Sequence, residues 1–172
     1  MKIFTFLWAL FVTSLIADET PLIADDAAMK VGNFTFTGGE AWVEAPVTPM
    51  VKAAVSHGKE GPVLKFYHFG QGQGGGVEAN LRRWKGQFQG EAKVTEEEKT
   101  YGEQKVTIVT MTGTYLSGPP FGEKVPTEGQ ALLGAVIPHS SGDVFLKMTG
   151  AEADITKAKA DFVKLLESAF AK

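Results

Sequence analysis

Residues Gly70-Gln71-Gly72-Gln73-Gly74-Gly75 form a G-x-G-x-x-G pattern between a strand-like run at 63–69 and a helix-like run that begins at Gly76. A glycine loop at the positive end of a helix can present backbone N–H groups to an anion. Glu96, Glu97 and Glu98 lie downstream at a distance suited to a ribose contact. A dinucleotide fold, however, requires parallel βαβ units repeated into a wider sheet, and the strands that follow here are hairpin-linked. The pattern is therefore read first as a structural turn, with a small anion or polar ligand at Gly72, Gly74 and Gly75 as the functional alternative.

Asn80, Arg83 and Gln87 share one edge of the helix-like run. An arginine fork backed by two amides suits a carboxylate or a partner's backbone. The plainer alternative is a solvated flank whose amides bond the neighbouring glycine loop. His57, His68 and His139 are the only imidazoles, and none has metal-ligand spacing such as H-x-x-x-H. His68 alternates with Tyr67 and Phe69 and reads as a satisfied, half-buried residue. No serine sits in a G-x-S-x-G elbow. Glu96 to Glu98 read as a solvated strand end, or as a weak divalent-cation site. Phe121, in the Pro- and Gly-rich stretch Ser117–Gly129, is either tucked under its own loop or presented to a partner.

The elements that must position these groups follow from periodicity. Strands are expected at 34–36 and 41–44, paired as one hairpin, and at 51–56 and 63–69, paired as a second, with Ala45–Met50 as an ordered crossing between them. Val77, Leu81, Trp84 and Phe88 recur at i, i+4, i+7 and i+11, which predicts a helix from about Gly76 to Gln89 ended by Gly90. Strands at 92–99, 104–115, 131–137 and 143–149 form an antiparallel meander, interrupted by the long 117–129 loop. A second amphipathic helix runs from about Ile155 to Ala171, capped by Asp154. Two helices against an antiparallel sheet make the fold class α+β.

Composition sets the outer bounds. The chain has 172 residues, no cysteine, 44% hydrophobic residues and a formal charge of −3. That is one ordinary globular domain, without disulfides and without the basic field of a nucleic-acid binder. Met1-Lys2, the apolar run Ile3–Val12, the small residue Ala17 and the acidic exit Asp18-Glu19 have the layout of a cleavable signal peptide covering residues 1–17. The run is too short for a membrane span, so no stable membrane insertion is expected. Cleavage is expected after Ala17, with Ala24 as a later alternative, releasing the protein to the periplasm or medium. Residues 18–33 are expected to be a flexible leader and 34–172 a single domain.

The order of elements, together with Val144-Phe145-Leu146-Lys147-Met148-Thr149-Gly150 and the closing helix to Phe170, resembles the PsbP/Mog superfamily. Those residues look like that group's final strand, "K-x-x-G" exit and last helix. Ala41-Trp42-Val43 with Pro46 and Met50, and Gly75–Phe88 with Asn80, Arg83-Trp84 and Gln87-Phe88, look like a set of exported bacterial proteins within it. The resemblance implies an antiparallel sheet sandwiched by helices, and members that act mainly as binding or assembly factors.

The expected function is accordingly an exported binding or accessory protein acting on a protein partner or a small polar ligand, without a cofactor or metal. Its candidate residues are Gly72, Gly74, Gly75, Asn80, Arg83, Gln87 and Phe121. The alternatives are an anion binder at Gly70–Gly76, and a hydrolase-like enzyme whose pocket gathers His68 or His139 with carboxylates and Arg83.

Overall fold

The computed structural model describes residues 28–119 and 122–171. The signal segment, leader residues 18–27 and Phe121 lie outside the described residues.

Seven strands form one antiparallel sheet in the order β3-β4-β5-β9-β8-β7-β6. They are β3 (Trp42–Glu44), β4 (Ala53–His57), β5 (Val63–His68), β6 (Phe88–Tyr101), β7 (Gln104–Ser117), β8 (Val125–Ile137) and β9 (Val144–Ala151). Period-two patterning divides their side chains between two layers. Leu64, Phe66, Leu133, Ala135, Leu146 and Met148 face helix α2 (Glu152–Ser168), which buries Ile155, Ala158, Phe162, Leu165 and Leu166 against them. Val109, Met111, Leu132, Val136 and Phe145 face helix α1 (Gly76–Lys85), which contributes Leu81 and Trp84. The expected α+β sandwich is therefore the observed one. No helix among the described residues is long and apolar enough to cross a membrane.

The structure corrects several boundaries. The domain starts earlier than expected: Ala28–Val31, read as leader, form strand β1, which pairs with β2 (Phe34–Thr37) in a separate two-stranded sheet. The expected hairpin between 34–36 and 41–44 is absent, because Phe34, Phe36 and Val31 pack into the α2 core. β3 pairs with β4 instead, so Ala45–Met50 links two partners and does not cross between hairpins.

The first helix stops at Lys85. Gly86 donates its N–H back to the Arg82 carbonyl at 3.0 Å, and Phe88 opens β6. Phe88 still joins Leu81 and Trp84 in their cluster, so burial alone kept the helical period running too far. Gly90, at φ 70°, falls where the β6–β7 register shifts between Gln89 and Lys93. The 117–129 loop is also shorter than expected: Ser117 pairs with Val125 and Leu116 with Pro126, leaving only residues 118–124 as the connection. Asp154 lies in the first turn of α2 and does not cap it; Ala151 holds the cap position with no side-chain bond.

Candidate functional site

α1 covers only part of its side of the sheet, and a cleft opens where it ends over β5 and β9. A hollow of about 200 Å³ is lined by Tyr67, Phe69, Asn80, Arg83, Trp84, Gln87, Phe145 and Lys147. A second, of about 430 Å³, adjoins it at Tyr67 and Lys147 and includes Lys65, Tyr115 and Thr149. The depth of the first depends on Gly134, where a Cβ would come within 2.5 Å of the Trp84 ring. Glycine at that point of β8 lets the indole sit directly on the sheet.

Asn80 is buried and organises the wall. Its Nδ2 donates to the Gly74 carbonyl at 2.8 Å and the Gly76 carbonyl at 2.7 Å, and its Oδ1 accepts from Arg83 Nη1 at 2.6 Å. Asn80 is thus a positioning residue that ties the glycine loop to the guanidinium. Arg83 stays exposed at the rim. Gln87 faces inward, and its Oε1 accepts from Tyr115 Oη at 2.7 Å and from Lys147 Nζ at 2.5 Å.

Lys147 carries the most unusual electrostatics. It is the direct cross-strand partner of Lys65, and its ammonium lies 5.8 Å from the Tyr115 ring centroid. Burial, reinforced by the Lys65 charge, pulls its pKa down to about 8. Burial pushes the Tyr67 and Tyr115 phenols up, so both remain neutral hydrogen-bond donors at neutral pH. Among the described residues, no carboxylate stands within ion-pair distance of Lys65, Arg83 or Lys147, although seven ion pairs form elsewhere.

Asn80, Arg83 and Gln87 are therefore brought together in one wall. Gly72, Gly74 and Gly75 do not line it. Gly74, at φ 89°, passes so close to Phe145 that a Cβ would meet the ring at 2.7 Å, while Gly72 is open to solvent. The loop is a scaffold whose carbonyls are held by Asn80, and α1 begins behind a left-handed Gly75.

His68 binds the Asp143 carbonyl at 3.2 Å on the side of the sheet opposite Arg83. His139 binds Ser141 Oγ at 2.8 Å. The convergence with Arg83 that the hydrolase reading specified does not occur. Glu96, Glu97 and Glu98 alternate across β6 and meet Lys85, Lys159 and Lys105 respectively, so they do not converge on a cation. Lys65, Tyr67, Tyr115 and Lys147 are not among the candidate site residues the sequence suggests, yet all four line the cleft. Their signal is a lysine in the middle of each of two apolar strands, Val63–His68 and Val144–Ala151.

No family model matches the chain, and no curated protein shows a significant match to it. Among solved structures, it is similar to the solution structure of cyanobacterial PsbP (CyanoP) from Synechocystis sp. PCC 6803. The TM-score is 0.52 at 14% identity, over 80% of this chain and 85% of that one. The shared architecture identifies the chain as having a PsbP-like α+β fold.

Proposed function

We propose that the chain is an exported binding or accessory protein whose working surface is the cleft beside α1, and that its ligand is a small organic anion. The observation that carries this reading is Lys147, half-buried directly opposite Lys65 with no acidic partner among the described residues. A cation held out of water without a counter-ion is costly, and an entering anion offsets that cost. The neutral Tyr67 phenol and the Gln87-anchored ammonium supply donors of the charge-assisted type an anion needs, while the Tyr115 hydroxyl is spent on holding Gln87. Export is supported by the order of charge, apolar run, small residue and acidic exit over residues 1–19.

Thermal unfolding of the purified protein with acetate, succinate and inorganic phosphate at millimolar concentrations tests the ligand class. A saturable rise in Tm that disappears in Lys147→Gln is the expected result. A midpoint that none of the three moves overturns the reading. Export is tested separately by the mass of the chain recovered from the cell envelope or medium: a start at Asp18 or Asp25 is expected, and an uncut chain confined to the cytoplasm refutes it.

A further inference from the structure

The smaller hollow is lined by aromatic rings as well as cations, and this narrows the ligand. Phe69 is 42% exposed and is the only aromatic among the exposed large hydrophobic residues described; the others are Val47, Met50 and Val125. It follows directly on β5, stacked beside Tyr67 at 6.3 Å between ring centroids and tilted against Phe145 at 6.1 Å. Gly74 is in contact range of the same two rings, since a Cβ there would meet Phe145 at 2.7 Å and Phe69 at 3.3 Å. The loop therefore abuts this aromatic wall while leaving Phe69 open. Arg83 and Lys147 line the same space, with Trp84 at its side.

From this we infer that the cleft takes a single-ring aromatic carboxylate, with the ring against Phe69, Phe145 and Tyr67 and the carboxylate on Lys147 and Arg83. The inference rests on the anion-binding reading above and deepens it. The volume, about 200 Å³, falls below the roughly 300–1,000 Å³ of pockets for drug-sized ligands, so one ring with a short acidic arm fills it. Stacked or edge-on contact with the aromatic wall adds to the apolar area buried. An inorganic or aliphatic anion would meet the cations but leave Phe69 in water. Arg83 recognises a carboxylate better than a lysine would in its place, because its planar fork matches the two oxygens.

The test is a titration of the isotope-labelled protein with phenylacetate, acetate and inorganic phosphate, following amide shifts around β5, α1 and β9. Phenylacetate is expected to bind at least tenfold more tightly than acetate or phosphate. Phe69→Ala, an exposed position, is expected to reduce phenylacetate to the acetate level while leaving acetate and phosphate binding as they were. Lys147→Gln is expected to weaken all three, with Lys65→Gln as a second charge variant should Lys147→Gln fail to fold. Equal binding of the three anions by the wild-type protein overturns the aromatic inference and leaves the anion reading intact. The same holds if Phe69→Ala retains the preference. If no anion shifts any amide near the cleft, both readings fall together.

Discussion

Lys65 and Lys147 are direct partners across the β5–β9 ladder, so two ammonium groups share one face of the sheet at neighbouring positions. Like charges directly opposite each other in an antiparallel pair oppose folding. Removing one should therefore stabilise the free protein. Lys65→Gln is expected to raise stability by a few tenths to about 1 kcal/mol, measured by urea unfolding, and to weaken anion binding in the same sample. A variant that is both less stable and unimpaired in binding would contradict the assignment of these lysines.

The lowered pKa of Lys147 gives stability a definite pH slope. In the unfolded chain its ammonium holds its proton up to about 10.5, whereas in the fold it releases it near 8. Between those values the unfolded state binds more protons, so this residue makes stability rise with pH from about 8 to about 10.5. Lys147→Met should flatten that segment of the profile. Anion binding has the opposite slope, because only the protonated amine attracts the ligand: affinity should fall once the pH passes about 8.

Asn80 should be the polar residue in α1 least tolerant of change. It joins two glycine-loop carbonyls and Arg83 through three hydrogen bonds while buried. Asn80→Ala is expected to cost about 1–3 kcal/mol, the usual range when buried polar groups lose their partner. It should also weaken binding by loosening Arg83. Asn80→Asp, by contrast, keeps the acceptor for Arg83 and loses the donor to the loop, so it separates the two roles when both stability and affinity are followed.

Within the glycine loop, equivalent substitutions should have unequal effects. Gly72→Ala places a Cβ in open space at φ 69°, which carries only the left-handed penalty of roughly 1–2 kcal/mol. Gly74→Ala adds a clash with Phe145, and overpacking of that kind costs about a further 1–3 kcal/mol. Chemical unfolding of the two variants should rank them in that order. Only Gly74→Ala should also perturb the aromatic wall.

On the opposite face, His57 Nε2 lies 3.0 Å from Asp161 Oδ2 and ties β4 to α2. The hydrogen bond from His57, joined by that from Lys164, holds the Asp161 carboxyl below the usual carboxylate range. Its stabilising contribution is therefore complete above the unfolded value near 3.8 and disappears as the pH falls through the lower folded value. Asp161→Asn should be less stable than the wild-type protein at neutral pH. The gap between the two unfolding curves should close in strong acid.

The sandwich was legible in the sequence because burial leaves its mark there: Ile155, Ala158, Phe162, Leu165 and Leu166 recur at helical spacing in α2, and the near-continuous apolar runs Ala131–Ile137 and Val144–Leu146 mark strands covered on both faces. The wall residues Asn80, Arg83 and Gln87 were legible as one helix edge. Strand β1 was not, because Ala28, Met29 and Lys30 carry no strand propensity and acquire one only by pairing with Thr35, Phe36 and Thr37. The end of α1 was misread because Phe88 satisfies the helical period from the first position of a strand. Lys147 was invisible as a site residue because its role comes from Lys65 and Gln87, which lie far from it along the chain and reach it only through the β5–β9 pairing and the place where α1 stops.

The pleat of β5 and β9 has a consequence for how such a protein can diverge. Leu64, Phe66, Leu146 and Met148 serve the α2 core, whereas Lys65, Tyr67 and Lys147 alternate with them and serve the cleft. Replacing members of the second set changes the charge and shape of the cleft while leaving the main core packed as before. An insertion of one residue in either strand does the reverse, exchanging the two sets and losing scaffold and specificity together. Point substitutions on one side of two strands can therefore reshape the cleft without cost to the main core, whereas a change in strand length there cannot.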